Sequence, residues 1–189
     1  MNTKAETMRN KIVSTADDLF YRQGFNHTSF ADISKAVGIS RGNFYYHFKT
    51  KDDILAAVLE SRKARIKIVL NDWTNNLDNA HARLVAFINM VGDLQDKIIQ
   101  HGCPMGTTCS ELNKLKNINF NDATEMIVLF RDWLVEQIRL LDYDPEVANH
   151  HAMHILTCTQ GISVMGHAFK DADYINREIV TLKQWAQQL

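Results

Sequence analysis

Apolar residues recur three and four positions apart along almost the whole chain, which is the spacing of one face of an α-helix. The first such stripe consists of Ile12, Ala16, Leu19 and Phe20, and it predicts a helix over residues 5–23. Only two prolines and eight glycines interrupt the pattern in 189 residues. We therefore predict an all-α fold.

A second, shorter helix is predicted after the first. Phe30, Ile33 and Val37 share one helical face, and Thr28 stands where an N-cap is expected. Gly38 follows at the position after the helix, where the backbone takes a positive φ that glycine adopts at least steric cost. These features predict a helix that ends in a tight turn.

A third helix is predicted directly after that turn, with Ser40 as its N-cap. Ile39 and Phe44 have the spacing of a hydrophobic staple, and Phe48 lies one turn beyond Phe44 on the same face. That face is therefore expected to point inward. The side chains left for solvent or a partner are those of Arg41, Asn43, Tyr45, Tyr46 and His47.

The remaining chain predicts six further helices, about nine in all. Residues 50–53 resemble a capping box at the start of a long fourth helix. The later helices are predicted from Leu84 to near Gly102, from Pro104 (capped by Cys103), from the end of an Asn117–Asp122 loop to Leu141, from Asp144 to about His167, and over Asp171–Gln188. Residues 6–66 and 67–189 are predicted to form separate domains, with the fourth helix as their only covalent link.

Composition places the chain among globular proteins of ordinary charge. Hydrophobic residues make up 46%, and there is no run of about 18 apolar residues that would span a membrane. The first residues lack the apolar core of a signal peptide, so we expect a cytoplasmic protein. Three cysteines in that setting are expected to be free thiols.

Charge is distributed unevenly, although the formal net charge is only −1. Residues 22–51 contain five basic residues and a single acid, Asp32, which gives this segment a local charge of +4. A second basic cluster follows over residues 62–67, and acids outnumber bases beyond residue 70. One basic end on a nearly neutral chain favours a modular nucleic-acid binder.

The N-terminal third resembles the TetR family of transcriptional regulators. The resemblance rests on Ile12, Ala16, Leu19-Phe20, Gly24-Phe25, Thr28-Ser29, Ile33, Val37-Gly38-Ile39-Ser40, Gly42, Phe44-Tyr45, His47-Phe48, Lys51 and Leu55. It implies an N-terminal helix-turn-helix (homeodomain-like) domain and a C-terminal helical ligand-binding and dimerisation bundle. It further implies a homodimeric repressor that a small-molecule effector releases from a palindromic operator, with no enzymatic activity and no cofactor.

The predicted DNA contacts gather around the third helix. Arg41 suits guanine recognition in the major groove, and Asn43 suits adenine or phosphate. Thr28 and Lys51 are predicted to clamp the DNA backbone without reading sequence. The alternative is that Tyr45, Tyr46 and His47, Tyr46 above all, complete a three-helix core and that the charges of Arg41 and Lys51 are only solvated. The full set of predicted DNA-binding residues is Thr28, Ser40, Arg41, Gly42, Asn43, Tyr45, Tyr46, His47 and Lys51.

Two cysteines and a stripe of histidines are the other reactive groups. Cys103 at a helix N-cap, with Cys109 nearby, is a redox or electrophile candidate, because some TetR-like regulators sense oxidants through a similar Gly-Cys string. The alternative is a pair of inert structural cysteines. His150, His154 and Cys158 lie four apart and could bind Zn²⁺, as in a metal-dependent helical enzyme, but core or interface histidines are favoured and no metal site is predicted.

The C-terminal helices are predicted to carry an effector pocket and a dimer interface. Methionine adapts to ligands of varied shape, and a few polar groups among apolar walls are typical of a pocket. The predicted lining is Met90, Met105, Met126, Phe130, Trp133 and His154. Small residues on the eighth helix and apolar residues on the ninth favour a two-fold, four-helix interface between two copies of the chain.

Overall fold

The computed structural model describes residues 4–189, apart from the side chains of Lys4 and Arg41, and every regular element in that range is an α-helix. The predicted all-α fold is confirmed. The helices are α1 (Lys4–Gln23), α2 (Phe30–Val37), α3 (Arg41–His47), α4 (Lys51–Asn76), α5 (Ala80–Asp93), α6 (Gln95–His101), α7 (Pro104–Lys114), α8 (Phe120–Arg139), α9 (Pro145–Phe169) and α10 (Ala172–Ala186).

Ten helices are described instead of about nine because the predicted fifth helix is two helices. Leu94, at φ −100° and ψ 6°, interrupts the regular geometry between α5 and α6. Its N–H still bonds to the carbonyl of Met90, and its own carbonyl accepts from Ile98 N–H. The interruption is therefore a local distortion. The helical spacing of apolar residues continues across it, so the sequence pattern predicts a single helix.

The described helices begin largely at the predicted caps. The Asp144 carboxylate accepts from two N–H groups at the start of α9, as predicted. Asp171, predicted as the first residue of the last helix, is its N-cap, and its carboxylate accepts from Tyr174 N–H. Cys103 Sγ accepts from Gly106 N–H at 3.5 Å, so the predicted cysteine cap of α7 is confirmed. The start of α8 differs from its prediction, since α8 begins at Phe120, inside the predicted loop.

The chain divides into two compact units that are not simply its two ends. The first contains the residues up to Ala64 together with Thr107–Glu125, and the second contains Arg65–Gly106 and Met126–Leu189. Residues 107–125, expected in the C-terminal domain, therefore pack within the first unit. The chain passes between the units in α4, α7 and α8, so α4 is not their only covalent link.

The second basic cluster is partly internal to the first unit. Arg62 and Lys63 are buried, and Arg62 Nε lies 2.7 Å from Asp17 Oδ1. Lys63 Nζ pairs with Glu60 and lies 2.7 Å from Glu125 Oε2. These carboxylates raise the pKa of Lys63 against the opposing effect of burial. The two charges are thus neutralised inside the unit and are not part of a DNA-facing patch.

The second unit is built around a cluster of buried aliphatic and aromatic side chains. The Phe87 and Phe130 rings pack edge to face at 5.3 Å between centroids. Trp133 packs against Trp73 and donates its indole N–H to Thr74 Oγ1 at 2.9 Å. Helices α5, α6, α8, α9 and α10 all contribute to this core. Within the described residues, none of the helices has the length and apolar character needed to cross a membrane.

Candidate nucleic-acid interface

The start of α2 is fixed by a capping box on Ser29. The Ser29 hydroxyl accepts from Asp32 N–H, and the Asp32 carboxylate accepts from Ser29 N–H at 2.8 Å. The Ser29 hydroxyl also donates to Asp32 Oδ2 at 2.6 Å, and this bond, together with the one from Ser29 N–H, lowers the pKa of Asp32. The prediction of Thr28 as the N-cap is therefore wrong by one residue. The signal for the correct residue was the acid three positions after Ser29.

Thr28 has a structural role in the turn between α1 and α2. Its side chain is only 1% exposed, and its hydroxyl donates to the Gly24 carbonyl at 2.7 Å. It also accepts from Gln23 Nε2 at 3.2 Å. Because both bonding capacities are used inside the fold, the Thr28 side chain is not presented to DNA as a clamp.

The tight turn between α2 and α3 matches its prediction. Gly38 has φ +79°, and its N–H and that of Ile39 both bond to the Ser34 carbonyl. Lys11 Nζ from α1 donates to the Val37 carbonyl at 2.9 Å, which satisfies another carbonyl at the end of α2. The turn is therefore held by its own backbone and by a cation near the negative end of the helix.

Helix α3 is anchored by its inner face. The Ser40 hydroxyl accepts from Asn43 N–H at 3.4 Å, which confirms the predicted N-cap. Phe44 and Phe48 are both buried, as predicted, and the Phe44 ring packs edge to face on Phe30 at 5.1 Å. These contacts fix which face of α3 is turned outward.

The outward face carries most of the predicted contact residues. Gly42 and Asn43 are exposed, while His47 is half-buried with its ring against Tyr46. Tyr46 is 73% exposed, so the alternative of a core role for this residue is wrong. Tyr45 is 48% exposed and stacks on Phe30 at 5.4 Å. The predicted role of the Arg41 side chain lies outside the described residues.

Lys51 is neither a free clamp nor a solvated charge. Its Nζ donates to the carbonyls of Phe25 at 2.8 Å and Thr28 at 3.0 Å, and it lies 4.2 Å from the centre of the Phe25 ring. Burial lowers the pKa of Lys51 despite nearby carboxylates. Its charge is therefore used to hold the turn that precedes α2.

One residue that acts on this interface gave no local signal in the sequence. The Glu111 carboxylate of α7 accepts from the N–H groups of Phe25 and Asn26, at 3.0 and 2.9 Å. Glu111 lies more than 80 positions further along the chain. Only the packing of residues 107–125 into the first unit brings it to the turn.

The predicted effector-pocket residues do not all come together. Phe130 and Trp133 belong to the core of the second unit, and Met90 and Met105 pack at its edge. Met126 is fully buried. His154 is exposed on α9, where its ring contacts Trp185 at 4.6 Å, so its assignment to the pocket is corrected.

The surroundings of the cysteines and of the histidine stripe favour a structural role over redox sensing or metal binding. Cys103 is buried at the cap of α7, and Cys109 Sγ donates to the Ala123 carbonyl at 3.4 Å. Cys158 Sγ lies 3.5 Å from His154 Nε2, and burial raises the pKa of the Cys158 thiol. Among the described residues, there is no group of three or more His, Cys, Asp or Glu side chains that could hold a metal ion.

Comparison with known proteins identifies related chains. Residues 12–58 match the family model described as bacterial regulatory proteins, tetR family. An uncharacterized helix-turn-helix regulator of Lactococcus lactis is 30% identical over 109 residues, covering 57% of this chain and 56% of its own length. TtgW of Pseudomonas putida, an uncharacterized regulator of the same type, is 31% identical over 97 residues, covering 50% and 70%.

Solved structures extend the likeness to the full fold. A TetR transcriptional regulator from Legionella pneumophila has a TM-score of 0.83 at 24% identity, over 100% of this chain and 97% of its own. Similarity at this identity establishes the fold alone. The chain spans between 28% and 56% of the length of the first four curated relatives it matches.

Proposed function

The chain belongs to the TetR family of bacterial regulatory proteins, and on that basis we propose that it is a DNA-binding transcriptional repressor of the cytoplasm and not an enzyme. The observation that carries the proposal is the outward face of α3. This face presents exposed polar and aromatic groups, while Phe44 and Phe48 fix the opposite face in the core. A short helix anchored in this way is suited to the major groove.

The proposed DNA contacts are a subset of the sequence prediction. Arg41 and Asn43 at the start of α3 read base edges, and Tyr46 and His47 contact phosphates or thymine methyl groups. Gly42 allows a close approach of the backbone, and Ser40 sits at the positive end of the helix dipole. Tyr45 contributes its exposed edge, while Thr28 and Lys51 support the fold of the unit.

We propose that two copies of the chain pair through α9 and α10. These helices leave apolar side chains in solvent, among them Met153, Val164, Met165 and Val180. A two-fold pairing would cover the same surface on both copies. It would also present two α3 helices to successive major grooves, which multiplies the sequence information of one short helix.

Release from DNA is proposed to follow binding of an apolar small molecule beside Met90, Met105, Met126, Phe130 and Trp133. Methionines at the edge of the aromatic core can adjust to a ligand without loss of packing. The ligand acts by favouring a conformation in which the two α3 helices no longer match the operator. Neither the cysteines nor the histidine stripe has a place in this proposal.

The test is selection of bound DNA from a random pool by the full chain. We expect an inverted repeat whose half-sites are about one helical turn apart, roughly 34–36 Å. The control is a chain in which Tyr46 and Asn43 are both replaced by alanine, since both side chains are exposed and their loss leaves the core intact. Selection of a direct repeat, of a single half-site, or of no sequence would contradict the proposal.

A further inference from the structure

The turn between α1 and α2 is held from two sides by opposite charges. On one side the Glu111 carboxylate accepts two backbone N–H groups, Phe25 N–H on Oε2 and Asn26 N–H on Oε1. On the other side the Lys51 ammonium donates to the carbonyls of Phe25 and Thr28. Charge-assisted hydrogen bonds of this kind are stronger than neutral ones. In this turn, the Glu111 carboxylate therefore binds backbone N–H groups, and the Lys51 ammonium binds backbone carbonyl groups.

The turn is shaped to admit the carboxylate. Gly24 has φ +87°, a conformation that residues with a side chain rarely adopt. A Cβ at this position would lie 3.0 Å from Glu111 Oε1. The backbone angle therefore favours glycine, and an added Cβ would also crowd the Glu111 carboxylate.

Glu111 belongs to a segment that is built into the first unit at several further points. We call residues 107–125 the brace. Thr108 Oγ1 accepts from Arg62 Nη1 at 3.0 Å. Asn117 Nδ2 donates to Asp52 Oδ1 at 2.7 Å, and Glu125 pairs with buried Lys63. Because these bonds reach α4 both in its first turn, at Asp52, and near its middle, at Arg62 and Lys63, the brace has a defined register against it.

The conformation of the turn decides where α2 begins. Only Asn26, His27 and Thr28 separate the bonded Phe25 from the Ser29 cap. Helix α2 in turn supports α3 through the contact of Phe30 with Phe44 and Tyr45. A change in the turn would therefore be passed directly to the helix that faces DNA.

We propose that Glu111 is a positioning residue for DNA binding, and that the brace is a structural part of the DNA-binding unit although it follows that unit by more than 40 residues. Glu111 does not touch DNA. It restricts the turn to the conformation in which α2 and α3 are presented together, which raises the fraction of binding-competent molecules. This inference rests on the proposed function.

The test compares full-length Glu111→Gln with the wild type, with Glu136→Gln as the control. Glutamine keeps the shape of the side chain but turns an NH₂ group toward one of the two backbone N–H groups. Glu136 is exposed on α8, and its replacement changes the net charge equally. We expect Glu111→Gln to speed hydrogen exchange at Phe25 and Asn26 and to weaken operator binding, each about tenfold, with no change in the control.

A second variant separates positioning from general destabilisation. Lys51→Met acts on the same turn, so in the double variant with Glu111→Gln the losses of DNA affinity should overlap instead of adding. Binding is measured far below the melting temperature, where all variants are folded. Unchanged DNA affinity in folded Glu111→Gln, or fully additive losses in the double variant, would overturn the proposal.

The exchange measurement needs no DNA, which distinguishes the two possible failures. If the wild-type chain selects no DNA, the proposed function fails, and the positioning role fails with it. Slow exchange of the Phe25 and Asn26 amide hydrogens would then still show that the Glu111 carboxylate binds them. If the wild type binds DNA but these amides exchange equally fast in all variants, only the inference about Glu111 is wrong.

Discussion

Lys51 and Arg62 use their charges inside the first unit. Lys51 bonds to backbone carbonyls of the α1–α2 turn, and Arg62 joins Asp17 to Thr108. Arg22 is paired with Asp18 at 2.9 Å, although that pair is exposed. Between residues 22 and 51, Lys35 and Lys49 are exposed and do not face a carboxylate in a described ion pair. Arg9 and Lys11 of α1 are exposed as well; Arg9 lies over the Phe48 ring, and Lys11 donates to the Val37 carbonyl. Of the five basic residues between positions 22 and 51, Arg22 and Lys51 are therefore already engaged within the chain.

Arg41→Ala tests the residue proposed to read a base. We expect the operator affinity to fall by about 1–3 kcal/mol, together with a relaxed preference at one base pair of each half-site. Competition binding with operators altered at single positions measures both effects. Arg139→Ala, which removes an exposed arginine from α8, is the control. Equal affinity and equal preference in Arg41→Ala would remove Arg41 from the contact set.

At the scale of the elements, local signals placed most of the caps and long-range contacts decided the rest. Ser40 and Asp144 could be identified because a cap and its helix are adjacent in sequence. Ser29 could have been identified in the same way from Asp32 three positions later, whereas the burial of Thr28 in the turn is a tertiary property. The break between α5 and α6 could not be predicted, because position 94 is a leucine and not a glycine or proline.

Helix α9 is expected to make stability depend on pH through His151. Burial, followed by the charges of His150 and His154, lowers the pKa of His151 below its usual 6.5. The unfolded chain therefore binds a proton at a higher pH than the folded chain does. The stabilising contribution is complete above pH 6.5 and is lost as the pH falls from 6.5 through the lower folded pKa.

Thermal unfolding at fixed protein concentration measures this dependence. We expect the melting temperature of the wild type to fall between pH 7 and pH 5, and the fall to be smaller in His151→Asn. His81→Asn, on α5 and outside the histidine cluster, is the control. The carboxylates of Asp32 and Asp53, whose pKa values are lowered by capping bonds, act only in a more acidic range. An equal slope in His151→Asn would refute the assignment.

At the scale of the molecule, the proposed dimer predicts that one charge on α9 separates the copies. Val164 is 56% exposed, and Val164→Glu would place two carboxylates in an apolar two-fold interface. We expect monomers at concentrations where the wild type is a dimer, with weaker operator binding. Sedimentation velocity checks this, and Leu140→Glu, at a 64% exposed residue directly after the end of α8, is the control. Dimeric Val164→Glu would exclude this surface.

The two-unit organisation was the part of the molecule least accessible from the sequence. The pattern of apolar residues identifies helices and their inner faces, so the fold class and the outward face of α3 could be predicted. It does not say which helix packs on which, and the contacts of Glu111 and Asn117 with the first unit join residues more than 60 positions apart. The outward face of α3 follows from a local pattern and could be predicted, whereas the contact of Glu111 with the α1–α2 turn depends on the brace and could not.

The position of the brace in the chain has a consequence for biosynthesis. When a ribosome has made residues 1–64, every helix of the helix-turn-helix is present, but the brace has still to be translated. We expect the nascent chain to leave the amides of Phe25 and Asn26 without their carboxylate until Glu111 has emerged from the exit tunnel. Competence for DNA would then be acquired only after the whole first segment of the second unit, Arg65–Gly106, has been made.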